Sequence, residues 1–521
     1  MYLSSPGHLL VTVVRYIPHL LRHGEKMVSV PQKILSYPVR INRQRRQAVL
    51  YKNFIRNLCL SILLGSLAAV SAPASAANEA MLDLLKILRD KGSITAEEYE
   101  LLVNAAKADG EKVDGVKAEL DAKTKDLPKV TTKDKIVVES SDGDFKWQPI
   151  GRVMGDYIAI DEDKTRLQSG FELRRARLGM EAQLWKKWIG KIEVDLAENE
   201  VDVKDAFVGY KDKTAGGMEW WVKAGQSHFP SGFHTLTSSK YMSLMNRPIY
   251  ADNEIQLARL LGLAAFIGKE RWTAHAGIFG RAVGEGNDDC TASPAGSECD
   301  DPFYAGLRIT GVPFMRDPAH LLHIGGSLQY RNPNGNTIDI DQRDAVIHVI
   351  ANKNLNADFT GLADDAFGWG LETAGVWGPA YMAAEYVTLD VDLNPAAVPG
   401  FGQDSTELDA WSVDVGFFLT GESRSYETKS AQWGAIKPKG IVGKGGIGAW
   451  EVAARYEEAD YNDGVDINGE MHLFTAGLNW YVNNTMRFMA NYVTTLDYDE
   501  EGNSKDDDEP SAFMLRGQIY W

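Results

Sequence analysis

SAFMLRGQIYW, Ser511 to Trp521, is the stretch whose reading decides the fold. Phe513, Leu515, Ile519 and Trp521 fall on one face of an extended chain, and Met514, Arg516, Gln518 and Tyr520 on the other. A strand in a soluble sheet would normally be followed by more chain to cover its apolar face. One that closes on a terminal aromatic points to a barrel whose apolar face meets lipid. A single alternating strand also occurs in many soluble sheets, so the rest of the chain has to agree.

The bulk numbers do agree. At 521 residues a soluble chain would be expected to form two or three domains. The composition is 44% hydrophobic and 10% aromatic with 49 glycines, and no run of 18 apolar residues occurs. This excludes a helical multi-span membrane protein and allows a β-barrel, where alternation keeps average hydropathy low.

The amino-terminal part reads as an export leader. Arg43, Arg45, Arg46, Lys52 and Arg56 precede the apolar stretch Leu58 to Val70, and Ala-Pro-Ala-Ser-Ala comes next at Ala72 to Ala76. The reading is a signal peptide over residues 1–76, cleaved after Ala76. A membrane anchor is the competing reading, but the stretch is short and interrupted by Ser61, Gly65 and Ser66. Residues 1–45 are long for the basic region of a leader, which fits a start codon placed too early. Removing residues 1–76 takes ten Lys/Arg and one acid from the chain's 55 and 72, leaving a net charge of −26. That speaks against a nucleic-acid partner and says nothing of which side chains line a lumen. The two cysteines left, Cys290 and Cys299, lie in GNDDCTASPAGSECDD. A disulfide closing this loop is expected in an oxidising compartment; free or metal-binding thiols are the alternative, and no third or fourth Cys or His stands nearby to favour metal.

Residues 77–127 have a different pattern from the remainder of the chain. Met81, Leu84, Leu85 and Leu88 recur at helical spacing, Thr95 with Glu98 forms a capping box, and Tyr99, Leu102, Val103 and Ala106 begin a second helix. Val113, Val116, Leu120 and Leu127 continue an apolar stripe among Lys and Glu, as in a periplasmic coiled coil that tethers or trimerises; a solvated charged helix is the plainer reading. Residues 128–144 read as a linker. From there on the pattern is short strands. Lys191, Glu193 and Asp195 oppose Ile192, Val194 and Leu196; Trp411, Val413, Val415 and Phe417 oppose Ser412, Asp414 and Gly416. Counting back from Trp521 gives an all-β, sixteen-stranded antiparallel barrel over residues 145–521. Asn483-Asn484 makes a tight turn, while the acidic stretch Asp497 to Glu509 makes a long outer loop. One connection is awkward: Gly421 to Ile447 falls where a short turn belongs, so it folds back on the barrel or the count is off by two.

Several blocks resemble the phosphate-selective porin O and P family of Gram-negative outer membranes. They are FELRRARLGMEAQLWKKWIGKIEVDLAENEVDVKDAFVGY (Phe171 to Tyr210), LTSSKYMSLMNRP (Leu236 to Pro248), FFLTGESRSYE (Phe417 to Glu427), GAWEVAARYEEADYNDG (Gly448 to Gly464) and GLNWYVNNTMRFMANYV (Gly477 to Val493). The resemblance spans about 145–521. It implies a sixteen-stranded barrel, a homotrimer in the outer membrane, and passive diffusion of small anions such as phosphate or polyphosphate past arginines and lysines.

The residues make physical sense beside it. In Arg174 to Leu184, outward Ala176, Leu178, Met180, Ala182 and Leu184 send Arg175, Arg177, Glu181 and Gln183 inward, with a bulge at Arg174 because Phe171 and Leu173 have the opposite parity. Candidates for an anion path on inward parity are Arg175, Arg177, Lys191, Lys223, Arg308, Arg331, Arg455, Arg487 and Arg516. Guanidinium forks replace the lost hydration of an oxyanion, and many weak sites keep it moving. The plainer alternative is that these charges wet the wall and pair with Glu181, Glu193, Asp195, Glu385 or Glu451. His228 to Asp252, after the fifth strand, is the expected inward-folded third loop. Its constriction candidates are Lys240, Arg247, Ser238 and Ser239, and His234 reads as a solvated loop residue.

No Gly-x-Ser-x-Gly, His-Glu-x-x-His or phosphate loop occurs, so no enzyme, cofactor or metal is expected. The acidic balance keeps a general or cation-leaning porin as the alternative, and the helical segment keeps an envelope-tethering barrel that reaches peptidoglycan. Asp288, Asp289, Asp300 and Asp301 either share divalent cations with lipopolysaccharide or are simply solvated.

Overall fold

The computed structural model describes residues 74–521 apart from 198–200, 253–254, 285–300, 335–337, 341–356, 360–362, 395–404, 462–468 and 500–506. The leader through residue 73 and the Cys290/Cys299 pair lie outside the described residues. Two compact units divide the chain, residues 1–95 and 96–521.

In the first unit, helix α1 (Ala74–Asp90) ends where Gly92, at φ +69°, lets Ser93 N–H reach Leu88 C=O and Gly92 N–H reach Arg89 C=O, a Schellman stop. In the second, helix α2 (Ala96–Thr124) carries Leu101, Leu102, Val116 and Leu120, all exposed. Lys129–Thr131 then pairs with Val137–Glu139, which adds to the barrel at Trp147.

Sixteen antiparallel strands make up the barrel: β1 (Phe145–Asp161), β2 (Gly170–Leu184), β3 (Trp188–Asp195), β4 (Asp202–Lys213), β5 (Glu219–His228), β6 (Arg259–Lys269), β7 (Trp272–Phe279), β8 (Phe303–Asp317), β9 (His320–Asn332), β10 (Ala363–Trp377), β11 (Ala380–Leu393), β12 (Ser405–Phe418), β13 (Ala449–Asp460), β14 (Glu470–Tyr481), β15 (Met486–Asp499) and β16 (Ser511–Tyr520). Each pairs with its neighbour, and β16 pairs with β1 from Ser511↔Asp161 to Tyr520↔Arg152. The sheet is closed, which removes every edge between the first and last strands.

Side-chain parity agrees with the sequence reading. Phe513, Leu515 and Ile519 are exposed, whereas Met514, Arg516 and Gln518 are buried. Outward aromatics form two belts. At the turn end stand Trp188–Tyr210, Phe314–Trp377 and the stack Trp450–Trp480–Phe488; toward the loop end stand Tyr157–Phe171, Phe303–Tyr330, Trp369–Tyr386 and Trp411–Tyr456. Such girdles mark the two membrane interfaces. The count of sixteen therefore holds, and the long connection after β12 folds back: Tyr426–Glu427 pairs with Gln432–Trp433, and Ala431, Trp433 and Ile436 are buried.

Candidate functional site

Between β5 and β6 the described residues 229–252 and 255–258 lie inside the barrel, with short helices α3 (Phe233–Leu236) and α4 (Ile249–Asp252). Phe233, Met242, Leu244, Met245, Ile249, Tyr250 and Ile255 are buried against inward side chains of the wall. A Cβ at Gly232 would collide with the Glu385 carboxylate, so this close approach needs glycine. The segment after β12 meets the same loop: Arg424 donates to Tyr241 C=O, Trp433 N–H to Thr237 Oγ1 at 3.3 Å, and the Phe233 and Trp433 rings lie 5.0 Å apart. Arg308 Nη2 holds Ala431 C=O at 2.8 Å and Tyr426 OH meets His323 Nδ1 at 2.8 Å, so the wall grips the segment too.

The expected bulge lies in β2. Met154 pairs with Arg175 and Asp156 with Glu172, so Leu173 and Arg174 together face Gly155. Phe171 and Leu173 stay exposed while Arg174, Arg175 and Arg177 are all buried. One extra residue thus turns adjacent guanidiniums to the same side.

The nine inward candidates divide by partner. Acids neutralise five. Arg177 Nε lies 2.7 Å from Asp195, Lys191 Nζ 3.0 Å from both Glu193 and Asp205, and Arg308 Nη2 2.5 Å from Glu372. Arg455 grips Asp414 at 2.5 and 3.0 Å, and Arg516 grips Asp156 at 2.8 and 2.6 Å. Arg331 donates to Ile255 C=O at 2.6 Å and to Gln329 at 3.1 Å. Among the described residues no carboxylate pairs with Arg175, Lys223 or Arg487. Arg487 bonds neutral oxygens of Met242, Ser239, Tyr481 and Gln518, and Lys223 Nζ sits 3.8 Å from the Trp221 and 4.4 Å from the Phe207 ring centroid. Among the described residues the one polar contact of Arg175 is Met154 Sδ, at 3.8 Å, and its Nε is without an acceptor. The charges acting most strongly on Arg175 are Arg174, Arg177, Arg516 and Arg247, all positive.

Register sets these groups at one level: Arg487 faces Gln518, Gln518 faces Met154, and Met154 faces Arg175. The loop candidates join that level. Ser239 and Ser238 Oγ accept from Arg152 at 2.9 and 3.4 Å, Gln518 donates to Lys240 C=O at 3.1 Å, and Arg247 donates to the carbonyls of His234 and Thr237. Lys240 Nζ lies over the Tyr241 and Tyr520 rings at 5.4 and 5.5 Å, and among the described residues no carboxylate pairs with it. Burial, helped by Arg152 and Lys191, lowers the Lys240 ammonium to about 8.

Three features escape the sequence reading. Arg152, bonded to Glu193 at 2.9 Å, shares inward parity with Met154 and Asp156, a signal available once β1 is phased. Arg424 sits in a segment with no strand periodicity. His234, expected to be solvated, is buried between Glu385 and Asp414; carboxylates from two distant strands turn it inward, and no local pattern announces them.

A phosphate-selective porin O and P model matches residues 149–521. The chain belongs to that family. Porin O of Pseudomonas aeruginosa is 25% identical over 428 residues, covering 75% of this chain and 91% of that one. An uncharacterized protein of Caulobacter vibrioides is 28% identical over 363 residues, 68% and 69% of the two chains. Among solved structures, the anion-selective porin from Comamonas acidovorans superposes with a TM-score of 0.46 at 12% identity, over 72% of this chain and all of that one. A loop-deletion form of OmpT from Vibrio cholerae gives 0.44 at 13% identity, over 73% and 100%. The chain is an outer-membrane porin, a channel by family and by fold.

Proposed function

We propose that this porin passes small oxyanions of the phosphate class, with selectivity set where the 229–258 loop meets the Arg487–Arg175 level. The observation that carries the reading is Arg175, a buried guanidinium with an unsatisfied Nε and positive neighbours. A buried charge without a partner costs several kcal/mol, and an oxyanion offers that partner. Lys223, with Lys146 and Lys211 on β1 and β4, is only half-buried and extends the cationic wall toward the turn end.

The acids beside Arg177, Lys191, Arg308, Arg455 and Arg516 favour a second reading, a general or cation-leaning porin. The reversal potential in a planar bilayer under a KCl gradient, repeated with phosphate on one side, separates the two. Anion selectivity with a phosphate-blocked chloride current supports the first. A cation-selective or unselective current indifferent to phosphate overturns it.

The same reading takes the barrel as a homotrimer set among lipopolysaccharide, with residues 77–127 in the periplasm as a coiled coil that contacts peptidoglycan. The exposed Leu and Val of α2 support a packed partner helix. Deleting 77–127 tests it: conductance that persists while envelope stability falls is the expected result, and unchanged stability removes the tether.

A further inference from the structure

The inward loop is fastened to the wall at a side chain that the anion reading leaves unused. His234 Nδ1 lies 3.0 Å from Glu385 Oε2, and Nε2 lies 2.9 Å from Asp414 Oδ2. A neutral imidazole carries one N–H, so either tautomer would set a ring lone pair against a carboxylate. Tyr250 OH, 3.0 Å from Nδ1, could donate to a neutral ring, but Glu385 Oε2 would still face that lone pair. The imidazolium satisfies both acids.

The surroundings make the charge count. From β11, Glu385 also accepts the N–H groups of Phe233 and His234 at 3.2 and 3.1 Å and Gln256 Nε2 at 2.6 Å. From β12 and β13, Asp414 is gripped by Arg455, which lies 3.9 Å from Glu457; Glu457 accepts Ile249 N–H at 2.7 Å. From β9, His323 packs on the Phe233 ring at 5.2 Å and bonds Glu372 at 2.8 Å. Within the loop, Arg247 holds the His234 carbonyl at 3.2 Å. Burial and the Glu385 charge keep the Tyr250 hydroxyl protonated far above its ordinary range. His234 stands between Glu385 and Asp414, and Arg455 between Asp414 and Glu457. A neutral His234 removes the only one of these two cations that touches Glu385 and leaves the joint between loop and wall with one positive charge fewer.

We propose that His234 is a positioning residue of the channel: its imidazolium clamps the loop between β11 and β12, and loss of one proton loosens the constriction and changes what passes. This rests on the loop forming the constriction. Burial acts to lower the His234 value, yet Asp414 and Glu385 prevail and raise it to about 9. Because the folded value stands above the ordinary 6.5, the clamp is fully present below that pH and is lost as pH rises through about 9.

Lys240 titrates close by, so the experiment uses the full barrel carrying Lys240→Arg, whose charge persists. Single-channel conductance and reversal potential are followed from neutral to strongly alkaline pH. A reversible one-proton step near pH 9 is expected. Adding His234→Gln should abolish the step and give the alkaline conductance at neutral pH. Absence of the step in the Lys240→Arg channel, or its survival in His234→Gln, overturns the clamp. Should His234→Gln fail to fold, Asp414→Asn serves: it removes one acid and should move the step toward neutral pH, and an unmoved midpoint overturns the clamp equally. A cation-selective channel that still shows the step sinks the anion reading and leaves the clamp standing.

Discussion

Arg516 and Asp156 meet across the seam where the last strand closes on the first, with Nη2 2.6 Å from Oδ2 and Nε 2.8 Å from Oδ1. Both side chains are buried, and they are direct register partners. Breaking such a pair by removing one member costs about 3–5 kcal/mol, because the remaining charge is left buried alone. Asp156→Asn should therefore lower the unfolding midpoint, and phosphate should recover part of the loss by pairing with Arg516. Denaturant titration of the folded barrel with and without phosphate checks this. An equal loss in both conditions would mean that no anion reaches the seam.

Arg175 offers the sharper probe of the same level. Hydrogen bonds to charged groups contribute about 1.5–3 kcal/mol, so Arg175→Ala should weaken phosphate block of the chloride current by about 10- to 100-fold. Conductance in KCl alone should change little. Block measured against phosphate concentration decides, and an unchanged inhibition curve removes Arg175 from the path.

Selectivity should also depend on pH through Lys240. Its folded value, lowered to about 8, means that the ammonium is charged at neutral pH and lost as pH rises through about 8. Anion preference, read from the reversal potential, should fall across that range. Lys240→Arg should remove the fall centred near 8 and leave the later step near 9 that belongs to His234. A wild-type reversal potential that stays flat would place the Lys240 charge outside the conducting path.

How far the sequence reveals the site depends on the property each signal measures. Period-two alternation reports which face a side chain takes, so Arg516, Arg487 and Arg175 were legible as inward, and the opposed parities of Leu173 and Leu178 revealed the bulge. Alternation does not report partners. Whether Arg177 is a free cation depends on Asp195 of the next strand, and register alone decides that. Loop contacts are further out of reach. Trp433 meets Thr237, and Arg424 meets Tyr241, only because two connections enter the barrel from opposite ends. Their sequences carry no period to read. The length of 421–447 was the visible hint that it needed somewhere to go.

That inward segment gives the last expectation. Trp433 is the apolar anchor of the turn after β12: its ring lies 5.0 Å from Phe233 and 5.7 Å from Tyr381, and the Arg424 guanidinium sits 5.2 Å from its centroid. Truncating a buried Trp to Ala costs about 3–5 kcal/mol. The barrel ladder does not depend on this ring, so the cost should appear as local opening of the segment rather than global unfolding. Lys439 and Lys444 are already exposed on it and mark the opening for trypsin. In Trp433→Ala, cleavage after Lys439 should accelerate while the barrel's own unfolding midpoint in denaturant stays where it is. Conductance should rise, since the segment also holds the constriction loop through Tyr241 and Thr237. Faster cleavage with unchanged conductance would show that the segment hangs on the loop without narrowing the passage.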